Sequence, residues 1–201
     1  MEWGIHPTKD LDPEQWMRIG EAHFRAGLLK KERRYFKDAV YAFNRAKKMG
    51  VQTADLYCWL ARSYGYLALH VNLLSRIFYA FISLRFVRRA LKRDGNHAFS
   101  YYVLGMWFQQ APSWAGGDPE KVLRNLDKAV ELQSDRIIFR IARARWFLNR
   151  NMKEPALQEC RRIIEAPSVE PEDGRRKGEA NDILERYTTE IEARRGLKPV
   201  G

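Results

Sequence analysis

The chain has 201 residues, of which 45% are hydrophobic and 30% charged, with a formal net charge of +11 and a pI near 9.8. That length supports a continuous core, and no long Gly/Ser or Pro-rich tract marks a linker, so one body over residues 1–201 is expected. The charge suits an anionic partner such as nucleic acid, acidic protein or a membrane surface, but no zinc-finger spacing, RNA-recognition aromatic motif or compact recognition helix accompanies it, which argues against specific nucleic-acid binding.

In chain order, Met1-Glu2-Trp3-Gly4-Ile5-His6 has neither the basic region nor the apolar core of a secretory signal, although a trimmed chain would look the same. Asp12-Pro13-Glu14-Gln15 then supplies an N-cap, a proline at the first helical position and a Gln able to close a capping box. Trp16, Ile19, Gly20, His23 and Phe24 follow at helical spacing, and Gly27 is expected to stop the helix. A second helix, about 28–49, carries Phe36, Ala39, Val40, Phe43 and Ala46 on one stripe and ends at Gly50.

Leu56, Trp59, Leu60, Ala61 and Tyr64 open a second pair, continued by residues 73–93. Its run from Leu73 to Val87 is the richest apolar stretch, but Arg76 and Arg85 interrupt it and it is shorter than the ~20 residues of a spanning helix. With Arg88, Arg89, Lys92 and Arg93 behind it, the run reads as the buried second helix of a repeat or as an interfacial amphipathic helix. Asp94-Gly95-Asn96 breaks it.

Tyr101, Leu104, Gly105 and Phe108 begin a third pair. Residues 111–117, Ala-Pro-Ser-Trp-Ala-Gly-Gly, cannot be regular helix, and Asp118-Pro119-Glu120 restarts the chain toward Val122, Leu126, Ala129 and Leu132. A fourth pair, about 134–166, carries Ile141, Ala144, Phe147, Ala156, Leu157, Ile163 and Ile164. After a polar connector, Ile183, Leu184, Tyr187 and Ile191 form the narrow stripe of a capping helix. Glu170 and Glu172-Asp173 beside Arg175-Arg176-Lys177 read as a solvated charge cluster. Cys58 and Cys160 both fall within helical patterns, as buried reduced thiols do, and nothing in their spacing motivates a disulfide. A cytoplasmic setting is the expectation.

Four pairs of positions recur: Gly20 with Ala46, Ala61 with Ala90, Gly105 with Ala129, and Ala144 with Ile163. The last two residues are 19 apart and the other pairs exceed this by 7, 10 and 5, so one helix–turn–helix unit is repeated with extra length in its middle. Such units stack into a solenoid. Small residues are needed where the two helices of a unit approach, since a larger side chain there costs about 1–3 kcal/mol.

These residues resemble the tetratricopeptide-repeat (TPR) family. The likeness lies in Trp16-x-x-Ile19-Gly20 with Ala39, Phe43 and Ala46; in Leu60-Ala61-x-x-Tyr64; in Leu104-Gly105-x-x-Phe108 with Val122, Leu126 and Ala129; and in Ala144-x-x-Phe147 with Ala156. It implies an all-α, right-handed α-α superhelix of about four helical hairpins (13–50, 54–95, 98–134 and 135–167) plus a capping helix at about 172–195. Three of the four units are longer than the 34-residue norm. Residues 110–121 also look like a loop of lengthened bacterial repeats, and related stretched repeats occur in the regulator of microtubule dynamics family and in periplasmic components of tripartite transporters; neither likeness carries a function over.

In TPR proteins the first helix of each unit lines the inner surface. Transferring that offset gives a groove of Glu21, Arg62, Tyr66, Tyr102, Met106, Gln109, Arg145 and Asn149, with Trp114 on the loop. Arg and Tyr suit recognition of a protein or peptide partner, including an acidic one; a merely solvated face is the alternative. The positions of the family's carboxylate clamp hold Met17, Glu21, Cys58 and Arg62, so chaperone-tail binding is not expected.

No enzyme, metal or cofactor is expected. His6, His23, His70 and His97 lack metal-ligand spacing, no Ser or Cys stands in a nucleophile motif, and Gly116-Gly117 lacks the Lys-Ser/Thr of a phosphate loop. The expected function is a non-catalytic protein-interaction scaffold. The competing class is a peripheral, anionic-lipid-binding module using residues 70–93.

Overall fold

The computed structural model describes residues 11–194, with side chains to residue 189. The N-terminal hexapeptide and the Ile191 side chain lie outside that set. Among the described residues the fold is all-α: α1 (Pro13–Lys30), α2 (Arg33–Lys48), α3 (Ala54–Leu69), α4 (Leu73–Arg93), α5 (Ala98–Gln110), a 3-10 turn (Ser113–Ala115), α6 (Pro119–Leu132), α7 (Ile137–Leu148), α8 (Lys153–Glu165) and α9 (Asp173–Arg194). They fall into two compact units, Met1–Asp118 and Pro119–Gly201. The first helix of the third expected hairpin, α5, belongs to one unit and the second, α6, to the other.

In the first unit, the Asp12 side chain accepts from Gln15 N and the Gln15 side chain accepts from Asp12 N, closing the capping box that starts α1. Gly27 does not end this helix as the sequence suggests. The helix continues to Lys30, and Lys31, at φ 55°, takes the left-handed closing conformation. Gly27 serves a different need, because a Cβ there would sit 2.8 Å from the Phe36 ring of α2. Hairpins α1–α2 and α3–α4 pack around Trp16, Phe24, Phe36, Phe43, Leu56, Leu60 and Val87, all buried.

The stacking is also polar. Ser83 Oγ of α4 donates to the Ala61 carbonyl of α3 at 2.8 Å, and Trp107 Nε1 of α5 donates to the Ala80 carbonyl of α4 at 2.9 Å. Only the C-terminal half of α4 is buried in this way, through Ser83, Leu84, Phe86, Val87 and Ala90. The turn after α5 depends on glycine: Gly116 has φ 97°, and a Cβ on Gly117 would lie 1.8 Å from the Ala111 carbonyl oxygen.

In the second unit, α6, α7, α8 and α9 pack successively, burying Leu126, Ile137, Ile141, Leu157, Ile163, Ala180 and Ile183. Every recurring position is buried: Ala46, Ala61, Ala90, Ala129, Ala144 and Ile163 at 0% exposure, and Gly20 and Gly105 with them. Cys58 and Cys160 are free and buried, and burial pushes the Cys160 thiol up to about 11.

The expected solvated cluster before α9 needs correction. Asp173 is 1% exposed and Arg176 7%. The Asp173 carboxylate accepts from the backbone N–H groups of Val169 and Glu170, and Arg176 Nη1 donates to both Asp173 and Glu170, at 2.6 and 2.7 Å. This closed set of bonds lets the charges be buried and anchors the start of α9.

Candidate functional site

The first helices of the first unit, α1, α3 and α5, converge on one side chain. The Arg62 guanidinium carbon of α3 lies 4.3 Å from the ring centre of Trp59 one turn earlier, 4.6 Å from Phe24 of α1 and 4.4 Å from Phe99 of α5. Three aromatic faces thus hold one cation, each attracting it through the ring quadrupole.

The other expected groove residues attach to this centre unequally. Glu21 of α1 is half-buried and lies 3.8 Å from Arg25. Burial raises its carboxyl above the usual carboxylate range, while Arg25 and then Arg62 draw it down. Tyr66 stacks on Phe36 at 5.1 Å and meets Phe24 edge-on at 5.4 Å, so its ring also serves the packing of α1 and α2. Tyr102 stands edge-to-face on Phe99 at 5.7 Å. Met106 and Gln109 continue the Tyr102 stripe along α5, half-buried and exposed respectively. Trp114 is 74% exposed in the 3-10 turn.

Arg145 and Asn149 belong to the second unit. Arg145 Nε donates to Glu179 of α9 at 2.6 Å, so the capping helix supplies a carboxylate to that position. Asn149 is exposed at the C-cap of α7.

Beside the Arg62 centre lies a polar line that the sequence did not announce. His97 caps α5: its Nδ1 faces Ser100 Oγ at 2.8 Å and Ser100 N at 3.2 Å, and its Nε2 faces Asp55 Oδ1 of α3 at 3.1 Å. The Asp55 contact, followed by Cys58, pushes the imidazole up to about 10, against a smaller opposing effect of burial; His97 in turn holds Asp55 below its usual range. Protonation makes the Asp55 contact an ion pair and turns Nδ1 into a donor to Ser100 Oγ, at the expense of the cap to Ser100 N. Ser100, His97 and Asp55 stand in the order of a hydrolytic triad, but Ser100 is 0% exposed within the first turn of α5, where no substrate carbonyl can reach it. The arrangement ties α3 to the start of α5 through Asp55, His97 and Ser100.

A second exposed feature is the N-terminal half of α4, where Leu73 (66%), Leu74 (82%), Phe78 (63%) and Phe81 (52%) face solvent. The exposed Arg85, Arg88 and Lys92 continue the same face toward the helix end. Among the described residues no helix is long and apolar enough to cross a membrane, and no group of three or more His, Cys, Asp or Glu is placed to hold a metal ion.

The family model for regulator of microtubule dynamics protein 1-3 matches residues 5–113. The chain belongs to that family. The regulator of microtubule dynamics match therefore spans α1 to α5 and includes Glu21, Arg62, Tyr66, Tyr102, Met106 and Gln109, while Trp114, Arg145 and Asn149 lie beyond it. No curated protein sequence matches the chain. Among solved structures, MamA superposes with a TM-score of 0.51 at 14% identity, covering 76% of this chain and 77% of that one. TTC0263, a thermophilic TPR protein of Thermus thermophilus, superposes with a TM-score of 0.50 at 17% identity over 84% of this chain and 98% of its own. At such identities the likeness shows the fold, and this regulator of microtubule dynamics family member has the TPR-like helical-repeat fold.

Proposed function

We propose that the chain is a non-catalytic protein-interaction scaffold whose first-helix face receives a protein or peptide partner. The observation that carries this reading is the state of Arg62. Its guanidinium is fixed by three rings from three helices, yet among the described residues no carboxylate lies within ion-pair distance of it. A preorganised guanidinium with unspent donors is suited to a partner's carboxylate, because little side-chain entropy remains to be lost. Glu21, Tyr66, Tyr102, Met106 and Gln109 extend the surface, and Trp114 adds an exposed aromatic anchor. The second unit offers Asn149 and Arg145 for contacts of its own, Arg145 by exchanging Glu179 for a partner carboxylate. The family's name suggests a partner connected with microtubules, and a cytoplasmic setting accords with two free, buried thiols. The experiment is affinity capture with Arg62→Ala combined with Tyr102→Ala: the proposal expects partners of the natural chain to be lost, and an unchanged set of partners from a folded variant contradicts it.

The exposed apolar half of α4 with its basic continuation favours a second reading, contact with an anionic membrane surface through residues 70–93. Co-sedimentation with phosphatidylserine-containing vesicles that persists in a folded Phe78→Ser, Phe81→Ser variant would exclude it.

A further inference from the structure

At the junction of α2, α3 and the end of α4, Lys47, Gln52, Tyr57, Arg89, Lys92 and Arg93 line a pocket of about 630 Å³. We propose that this pocket binds a multiply charged phosphate group, carried by a free anion or by a lipid headgroup. It shares no residue with the Arg62 face and rests neither on that reading nor on the apolar end of α4.

Four of the six lining side chains are cationic, and they come from two helices. Among the described residues, none of the four lies within ion-pair distance of a carboxylate. In the second unit, by comparison, Arg136, Arg140, Arg143, Arg145 and Arg176 all hold acidic partners. Like charges gathered round one space repel, and an anion in that space relieves the repulsion.

Cations in a helix's last turn also complement its dipole, and that accounts singly for Lys47, Lys92 and Arg93. It does not account for Arg89, one turn before the end of α4, or for the meeting of all four around a pocket. The volume lies within the ~300–1,000 Å³ typical of small-ligand sites.

The donor types suit phosphate. Arg89 and Arg93 offer planar forks that can grip two phosphate oxygens, while Lys47 and Lys92 supply compact charges. The Phe86 ring lies 5.6 Å from Lys47 Nζ and 5.8 Å from the Arg89 guanidinium, and the Gln52 side-chain carbonyl accepts from Arg93, so three of the cations are held in place. Tyr57 is 6% exposed and forms a fixed wall that carries a hydroxyl donor. A small phosphorylated anion fits this ring of donors better than a peptide carboxylate, which would satisfy one fork at a time.

The test titrates the full chain with inositol hexakisphosphate at physiological salt and sediments it with phosphatidylcholine vesicles containing or lacking phosphatidylinositol 4,5-bisphosphate. At this ionic strength charges farther apart than about 8 Å are largely screened, so the site must act locally. Two variants are compared, the exposed pair Lys92→Glu with Arg93→Glu and the milder Lys47→Gln with Arg89→Gln. The control, Lys30→Glu with Arg33→Glu, matches the charge change of the first on exposed residues that do not line the pocket.

Saturable binding of the soluble probe, weakened at least about tenfold in both pocket variants and under about threefold in the control, supports the proposal with a free anion as ligand. The same pattern seen only with the phosphoinositide vesicles supports it with a lipid headgroup. No binding to either probe, equal loss in the control, or equally tight binding of poly-glutamate overturns it.

Discussion

Gly20 lies flat against the ring of Phe43: a methyl group built on Gly20 would come within 2.5 Å of Phe43 Cε1. The ring cannot step aside, since Phe43 is 0% exposed and stacked on Trp59 with centroids 5.8 Å apart. Gly20→Ala is therefore expected to destabilise the first unit by about 1–3 kcal/mol through overpacking. Urea unfolding checks this, and a variant as stable as the natural chain would show that α1 and α2 approach less closely than described.

Arg62→Gln removes a cation held by Phe24, Trp59 and Phe99. A half-buried cation–π site is worth about 1–2 kcal/mol, so a loss of that order is expected in chemical denaturation, with Arg62→Lys recovering part of it. Partner affinity should fall in both variants, because lysine restores the charge without the two-pronged donor geometry.

The His97–Asp55 contact makes stability depend on pH in a predictable direction. The imidazole is raised from 6.5 to about 10, so its contribution is fully present below pH 6.5 and is lost as pH rises through about 10. Asp55 is lowered from 3.8, so its contribution is present above that value and lost as pH falls through the lowered one. The thermal midpoint of the natural chain should decline between pH 7 and 10 relative to Asp55→Asn, and parallel curves would contradict the pairing.

Glu159 of α8 is 3% exposed and accepts from Arg140 Nη1 at 3.1 Å and Arg143 Nη2 at 2.5 Å, with Arg162 also within reach at 3.3 Å. Arg143 reaches Asp127 of α6 as well, at 2.9 Å, so one guanidinium and two carboxylates join three helices. Glu159→Ala leaves two largely buried cations without that carboxylate and is expected to cost the second unit about 3–5 kcal/mol. Chemical denaturation followed by circular dichroism measures that loss. A cost below ~1 kcal/mol would mean that the pairs are solvated and weak.

Sequence periodicity made much of this legible. The capping box at Asp12, the restart at Pro119 and the small residues Gly20 and Ala61 each follow from a local rule, and each matches the position of an element or a contact. Gly27 misled because glycine answers two needs, a left-handed turn and a close approach, and the difference lies in Phe36, nine residues away. Arg62 could be placed on the first-helix face by its register. Its aromatic setting could not, because Phe24 and Phe99 lie 38 and 37 residues from it and meet it only when helices stack. The roles of His97 and of the Asp173–Arg176 set were hidden for a similar reason, since charge along a chain does not distinguish a solvated cluster from a closed one.

Whether a partner sits on the first-helix face around Arg62 is decided by a photo-crosslinking amino acid placed in turn at Tyr102, Met106 and Arg124 of the full chain in cells. Positions 102 and 106 should give the same adduct, lost when Arg62→Glu is added, and the exposed position 124 on α6 should give none. Adducts of equal yield from all three positions, or unaffected by Arg62→Glu, would place the partner elsewhere.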